Sequence, residues 1–129
     1  MKDTIRIAID LSPLQRWDNR FRGIGTYIFN LINRIVLVDK RNDYVFLLEK
    51  GKNYHEIHSW INELKQKSSR PISTIELPAI DYFSFSHQLF MNRLAKKNHI
   101  DILHIPVQGK VPFLRNYKVV ITLAGWSLL

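Results

Sequence analysis

Short apolar runs alternate with helical patterns along the whole 129-residue chain, and this alternation is the feature that most limits its fold. Five of the runs are predicted to be strands, at residues 5–9, 43–49, 72–77, 101–105 and 118–123. Strands that are joined through helices favour right-handed crossovers and a parallel sheet covered on both faces. We therefore predict a single α/β domain over residues 1–129, with a Rossmann-like doubly wound parallel sheet of about five strands in the order 3-2-1-4-5.

Three helices are predicted from apolar residues that recur at helical spacing. The first spans about residues 25–38, and the second ends before the sequence "SSRP" at residues 68–71. The third ends near Asn98, and either Ser84 or Ser86 is its predicted N-cap.

Composition excludes several classes of function. The chain has no cysteine, so disulfides, thiolate zinc sites and a catalytic thiol are ruled out. It has neither a signal-peptide pattern nor an uncharged run long enough to cross a bilayer. We therefore expect a cytoplasmic protein, with peripheral attachment to a membrane as the alternative. The net charge of +8 favours an anionic partner, but the basic residues are dispersed and no DNA-reading motif accompanies them, so nucleic acid is not expected.

An arginine- and glycine-containing loop and a histidine are predicted to lie at one crevice, although they are distant in sequence. Arg16, Arg20 and Arg22 precede Gly23-Ile24-Gly25, directly ahead of the first helix, and His104 lies near the end of the fourth strand. In the order 3-2-1-4-5, strand order reverses between the first and fourth strands, which is where ligands bind in such sheets. The amide groups and positive dipole end of the first helix would add to an anion site there.

Each of these features also has a purely structural interpretation. The Gly-Ile-Gly sequence is not a full dinucleotide motif and equally fits a tight turn, and His104 fits a core histidine. Glu49 could hold a ribose, although a solvated strand end is the preferred interpretation. His55 and His58 are one helical turn apart, but no third ligand at metal spacing accompanies them, and no metal is expected.

The third helix contains an apolar segment with a basic end. Its apolar residues are Leu89, Phe90, Met91 and Leu94, and Lys96 and Lys97 follow them. Core packing is the preferred interpretation of these apolar residues, and a membrane-facing amphipathic surface is the alternative.

Taken in order, "IRIAIDLSPL", "RGIGTYIFNLI", "NDYVFLL", "DILHIP" and "VVITL" resemble the N-terminal half of family 4 glycosyltransferases, which are retaining enzymes of the GT-B fold. The resemblance implies an acceptor-side domain that faces a donor-binding domain across a cleft. By position, it places Gly23, Ile24 and Gly25 beside the donor phosphates and the acceptor, with Arg22 where many members have a further glycine. It also places His104 on the wall of the cleft.

Two departures from the family pattern indicate that this chain alone is inactive. Members typically have His-Asp after the fifth strand, whereas this chain has Ala124 and Gly125 there, and neither can hydrogen-bond through a side chain. The donor domain is also missing, and a nucleotide-sugar donor is expected only with that domain, in the same polypeptide or as a partner subunit. No other cofactor is expected.

We therefore expect an acceptor-recognition domain of a glycosyltransferase that uses a nucleotide-sugar and a glycan or lipid-linked acceptor. An excised or shortened N-terminal domain is preferred over a split subunit or a non-catalytic relic. A different class of function also fits the sequence, namely a non-catalytic Rossmann-like module that binds an anion or a partner protein in the same crevice.

Overall fold

The structure is a computed structural model, and it describes residues 4–15, 23–51, 55–78, 84–106 and 115–121. In chain order the elements are β1 (Arg6–Asp10), a 3-10 helix (Ser12–Gln15), α1 (Gly23–Val38), β2 (Asp43–Glu49), α2 (His55–Lys67), β3 (Ile72–Leu77), α3 (Phe85–Lys97), β4 (Ile102–Ile105) and β5 (Lys118–Ile121). The strand and helix boundaries that fall on described residues agree with the predicted ones to within about two residues, the usual scatter for element ends. The 3-10 helix was not predicted.

The five strands form one parallel sheet in the order β3-β2-β1-β4-β5, as the sequence predicts. β1 lies at the centre and pairs with β2 on one side and with β4 on the other. The chain therefore builds outward in one direction through β2 and β3, and then returns to the other side of β1. This Rossmann-like α/β fold has its topological switch point between β1 and β4.

β2 shows why the central strands of this sheet consist of consecutive apolar residues. Its five inner residues are all buried, because both faces of the sheet are covered. Tyr44, Phe46 and Leu48 belong to one core, whereas Val45 and Leu47 belong to the other. This is the two-residue alternation of a strand between two packed layers.

The helices divide between the two faces as right-handed crossovers require. Ile28, Ile32 and Val36 of α1 share one core with buried residues of α2, and Trp60 of α2 donates a hydrogen bond to Asn33 of α1 at 2.7 Å. On the other face, α3 contributes Met91 and Ala95.

The ends of α3 settle an alternative that the sequence left open. Ser84 is the N-cap, and its side chain accepts a hydrogen bond from the backbone N–H of His87. At the other end, Ile100 N–H bonds to the carbonyl of Ala95, and His99 adopts a left-handed backbone with φ of 56°. The chain thus turns sharply from α3 into β4. In the parts of the chain that the structure describes, no helix is long and apolar enough to cross a membrane.

Candidate functional site

The candidate site lies at the carboxyl ends of β1 and β4, where the direction of the crossovers reverses. Ile9 of β1 is in register with His104 of β4, so both residues are on the same face of the sheet. Ile9 packs in the core that contains Ile28 and Ile32 of α1. The structure therefore places His104 on the side of the sheet that α1 covers.

His104 sits in apolar surroundings without being fully enclosed. Its neighbours along β4, Leu103 and Ile105, are buried in the opposite core, whereas the imidazole itself is half-buried. Burial lowers the pKa of His104 below its ordinary value, because desolvation disfavours the charged ring. Burial thus favours the neutral ring of His104, in which one nitrogen is a donor and the other an acceptor.

Between His104 and the edge strand β5, the sheet is only partly covered. His104 is in register with Val120 of β5, and that side chain is 47% exposed. Since registered residues of parallel strands share a face, His104 and Val120 form an accessible strip beside β1. A ligand approaching the switch point from this side meets an imidazole and an apolar wall.

The amino end of α1 supplies the second component of the site. The sequence predicted a helix from about residue 25, with the glycine-containing loop leading into it, but in the structure α1 already begins at Gly23. The first turn contains no acidic residue. The first amide groups of the helix lack partners within the helix, and no carboxylate of that turn offsets their positive dipole end. Gly25 is buried, and the helix begins without a bulky side chain at that position.

The turn after β1 is held by a buried carboxylate that was not among the predicted site residues. Asp10, at the end of β1, is 2% exposed and accepts a hydrogen bond from the backbone N–H of Ser12 at 2.8 Å. This local bond starts the 3-10 helix, as aspartate side chains commonly do in turns. An Asp-x-Ser-Pro sequence after an apolar run was the signal that could have predicted it.

Gln15 fixes the far end of the same turn to the neighbouring strand. Its amide nitrogen donates to the carbonyl of Glu49 at 3.1 Å, and its amide oxygen accepts from the N–H of Glu49 at 2.8 Å. Gln15 is 3% exposed, and both bonds are partly shielded from water. The main chain of Glu49 is therefore part of the framework. Nothing in the sequence pointed to this pair, since the two residues are 34 positions apart.

Not all of the predicted site residues can be placed. His104, Gly23 and Gly25 are brought to the same edge of the sheet, and Ile24 lies between the two glycines in α1. Arg16, Arg20, Arg22, Ala124 and Gly125 lie outside the described residues.

Other clusters of polar groups lie away from this edge or lack the composition of a site. Within the described ranges, no group of three or more histidine, aspartate or glutamate side chains could hold a metal ion. An open groove of about 1010 Å³ lies at the opposite, amino edge of the sheet. It is bordered by Ile5 and by residues around the starts of β4 and β5, including Asp101, Arg115 and Lys118. Parallel sheets bind ligands at the other edge, so this groove is not the candidate site.

Comparisons with known proteins add nothing to the fold described above. The chain belongs to the class of Rossmann-like α/β proteins, as its parallel sheet and switch point define. No protein-family model matches it, and no curated protein sequence matches it significantly. A crystal structure of a hypothetical protein, PH0823, is similar over 92% of this chain and 95% of that chain, with 11% identity and a TM-score of 0.45. Similarity at this level assigns neither a family nor an activity.

Proposed function

We propose that this chain is the acceptor-side domain of a retaining glycosyltransferase of the GT-B type. The observation that carries the proposal is that His104 and the glycine-started α1 lie at the same carboxyl edge of the sheet, at the switch point between β1 and β4. The resemblance of the five sequence segments to family 4 glycosyltransferases supports it independently of this geometry.

The chemistry of the site suits a polyhydroxylated ligand that carries or approaches an anion. An imidazole that is partly exposed can hydrogen-bond a sugar hydroxyl, and the amide groups at the start of α1 attract negative charge. Val120 offers an apolar surface next to His104, on which the carbon face of a sugar ring can lie. In this proposal the domain positions the acceptor, and a donor-binding domain supplies the nucleotide-sugar.

Catalysis is not assigned to the chain alone. Transfer needs donor and acceptor held together, and the orientation of two substrates accounts for much of the rate of such reactions. We expect sugar transfer only when a donor-binding domain, in the same polypeptide or in a partner, completes the cleft.

The test has two parts: a binding screen, and then amide NMR of the chain titrated with a soluble oligosaccharide that binds in the screen. We expect the chain to bind members of an immobilised oligosaccharide panel and to bind UDP-glucose and GDP-mannose weakly or not at all. Shifts should concentrate at the start of α1 and around His104. Tight binding of either nucleotide-sugar, or no binding to any oligosaccharide, would contradict the proposal. Tight phosphate binding without sugar binding would instead favour a non-catalytic anion-binding module.

A matched pair of histidine variants ties the binding to the site. His104→Asn removes the imidazole at the carboxyl edge, and we expect oligosaccharide binding to fall about tenfold, as for one or two lost hydrogen bonds. His99→Asn is the control, since His99 precedes β4 at the opposite edge and asparagine tolerates its left-handed backbone. Binding should be unchanged in that variant.

A further inference from the structure

The outward face of α3 carries apolar and basic side chains and no acidic one. The sequence of the helix, FSHQLFMNRLAKK, contains neither aspartate nor glutamate. Its inward side contributes Gln88, Met91 and Ala95 to the protein interior. Its exposed residues are Phe85, Ser86, Leu89, Phe90, Arg93, Lys96 and Lys97.

The apolar members of this face are large and unusually accessible. Phe85 is 65% exposed, Leu89 is 40% exposed and Phe90 is 39% exposed. Core packing was the preferred interpretation of Leu89 and Phe90, and their exposure shows that this prediction was wrong for these two residues. A single exposed apolar residue is ordinary, but three large ones within two turns of one helix are not, and apolar side chains exposed together commonly mark an interaction site.

Charge and apolar surface are arranged in sequence along the helix. The three large apolar side chains occupy its first half, and Arg93, Lys96 and Lys97 occupy its second half. We call these six residues the α3 patch. The long basic side chains can lie along an apolar surface while their charged ends reach into a polar layer.

The composition of the α3 patch selects its partner. A second copy of this chain would bring three cations against three cations, and the net charge of +8 adds to that repulsion. An anionic partner is therefore favoured. Exposed phenylalanine side chains gain most by entering hydrocarbon, and an anionic lipid bilayer offers hydrocarbon and negative charge at the same surface.

We propose that the α3 patch docks the protein on an anionic lipid bilayer. This inference goes beyond the proposed function and does not depend on it. Phe85, Leu89 and Phe90 enter the interface between headgroups and acyl chains, and the three basic side chains contact lipid phosphates. The helix is too short and too polar to span the bilayer, so the protein lies on the surface.

The first experiment is flotation of the 129-residue chain with lipid vesicles. We expect binding to vesicles of equal parts phosphatidylcholine and phosphatidylglycerol, and little binding to pure phosphatidylcholine. Binding should weaken strongly at about 1 M salt, where the screening length falls to about 3 Å. Equal binding to neutral and anionic vesicles, or no binding to either, would overturn the proposal.

Two lysine pairs separate the α3 patch from the overall charge of the protein. Lys96 and Lys97 on α3, and Lys65 and Lys67 on α2, are exposed and lie in the last turn of their helices. The helices cover opposite faces of the sheet. Changing both α3 lysines to glutamine should weaken partitioning by about 25-fold, at about fivefold per charge. The same change in α2 should have little effect, and equal losses in both would contradict docking through α3.

Apolar variants test insertion directly. Phe85→Ser combined with Phe90→Ser should reduce vesicle binding by about tenfold or more. Val38→Ser is the matched control, because Val38 is 71% exposed at the end of α1. Unchanged binding in the phenylalanine variant would exclude insertion by the patch. A second result would also exclude it. If the parent protein forms a concentration-dependent dimer and the phenylalanine variant does not, the α3 patch is a protein interface. Circular dichroism confirms the fold of each variant, and unaltered oligosaccharide binding keeps this test separate from that of the proposed function.

Discussion

Two buried tyrosine side chains differ in what their hydroxyls do. Tyr44, at 3% exposure, donates a hydrogen bond to Asp39 at 2.6 Å. Tyr117, at 6% exposure, has a buried hydroxyl that forms no hydrogen bond with any described residue. Burial raises the pKa of Tyr117 to about 12, although Arg115 opposes the shift. A buried hydroxyl stabilises a fold only when it is paired.

The first prediction compares these two hydroxyls. Tyr44→Phe should lower the free energy of unfolding by about 1–2 kcal/mol, because Asp39 loses a hydrogen bond. Tyr117→Phe should leave it unchanged or raise it slightly, since no described group is deprived of a partner. Urea denaturation at pH 7 measures both. A larger loss in Tyr117→Phe than in Tyr44→Phe would show that this assignment of the two hydroxyls is wrong.

The same aspartate gives a prediction about acid stability. Burial alone would raise the pKa of Asp39, but hydrogen bonds from Tyr44, Arg41 and Asn42 outweigh it and lower the pKa to about 2. A lowered carboxylate pKa stabilises the fold above the ordinary value of 3.8, and this contribution disappears as the pH falls toward 2. Stability curves should therefore decline less steeply between these limits in Tyr44→Phe than in the parent. Parallel curves would contradict this role of Asp39.

Protonation of His104 destabilises the folded state, because its ring is partly buried. Its pKa is lowered in the folded state, so the unfolded chain binds more protons between that pKa and 6.5. Stability from this residue is present above pH 6.5 and decreases as the pH falls below it. His104→Asn should remove that dependence, as measured by thermal unfolding from pH 7.5 down to pH 5. His99→Asn should retain it, and loss of the dependence in both variants would contradict the assignment to His104.

At the scale of elements, the sequence predicts what repeats locally and misses what connects distant parts. β2 has the predicted bounds because its apolar residues form an unbroken run, and β3 because it lies between Pro71 and Pro78. The 3-10 helix was missed, since four residues are too few for any periodicity. Gln15 and Glu49 could not be paired in advance, because a side-chain bond to a distant main chain leaves no local pattern.

The candidate site was predictable only in part, for the same reason. Strand order brings His104 to Ile9, and that order follows from the alternation of strands and helices. The start of α1 at Gly23 was not foreseen, because the two glycines suggested a loop. Exposure of Leu89 and Phe90 was missed as well, since helical spacing alone does not tell which side of a helix meets the sheet.

Removing the side-chain amide of Gln15 tests how far it fixes the edge of the sheet. Gln15→Ala should destabilise the fold by about 1–3 kcal/mol, because two partly buried main-chain groups of Glu49 lose their hydrogen bonds to the Gln15 amide. Hydrogen exchange of the Glu49 amide should become faster than in the parent. Gln66→Ala, an exposed position in α2, is the control and should change neither quantity. Unaltered exchange at Glu49 in Gln15→Ala would contradict this role.

At the scale of the whole molecule, one sheet joins two cores. β2 sends Phe46 into one and Leu47 into the other, and both side chains are fully buried. Damage to either core therefore weakens the same strand. We expect the described elements to unfold as one cooperative unit.

Large-to-small variants in each core test this coupling. Phe46→Ala should cost about 3–5 kcal/mol, and Met91→Ala, in the other core, about 2–5 kcal/mol. In both variants, transitions followed by tryptophan fluorescence and by circular dichroism should coincide. Separate transitions in either variant would mean that the two cores unfold independently. Val38→Ala, at an exposed position, should change stability by less than about 0.5 kcal/mol.

The central position of β1 has a consequence for biosynthesis. Arg6 N–H bonds to the side chain of Asp101, which is 95 residues later, and β1 pairs with β4. As the chain leaves the ribosome at ~5–20 residues per second, β1 gains β2 early but waits several seconds more for β4. During that time an apolar strand edge is open to the wrong partner. Such non-local pairing also makes folding slow. We expect ribosome-associated chaperones, which shield apolar segments of emerging chains, to raise the folded yield of this protein in a coupled translation system. The same chaperones should raise its refolding yield from urea less.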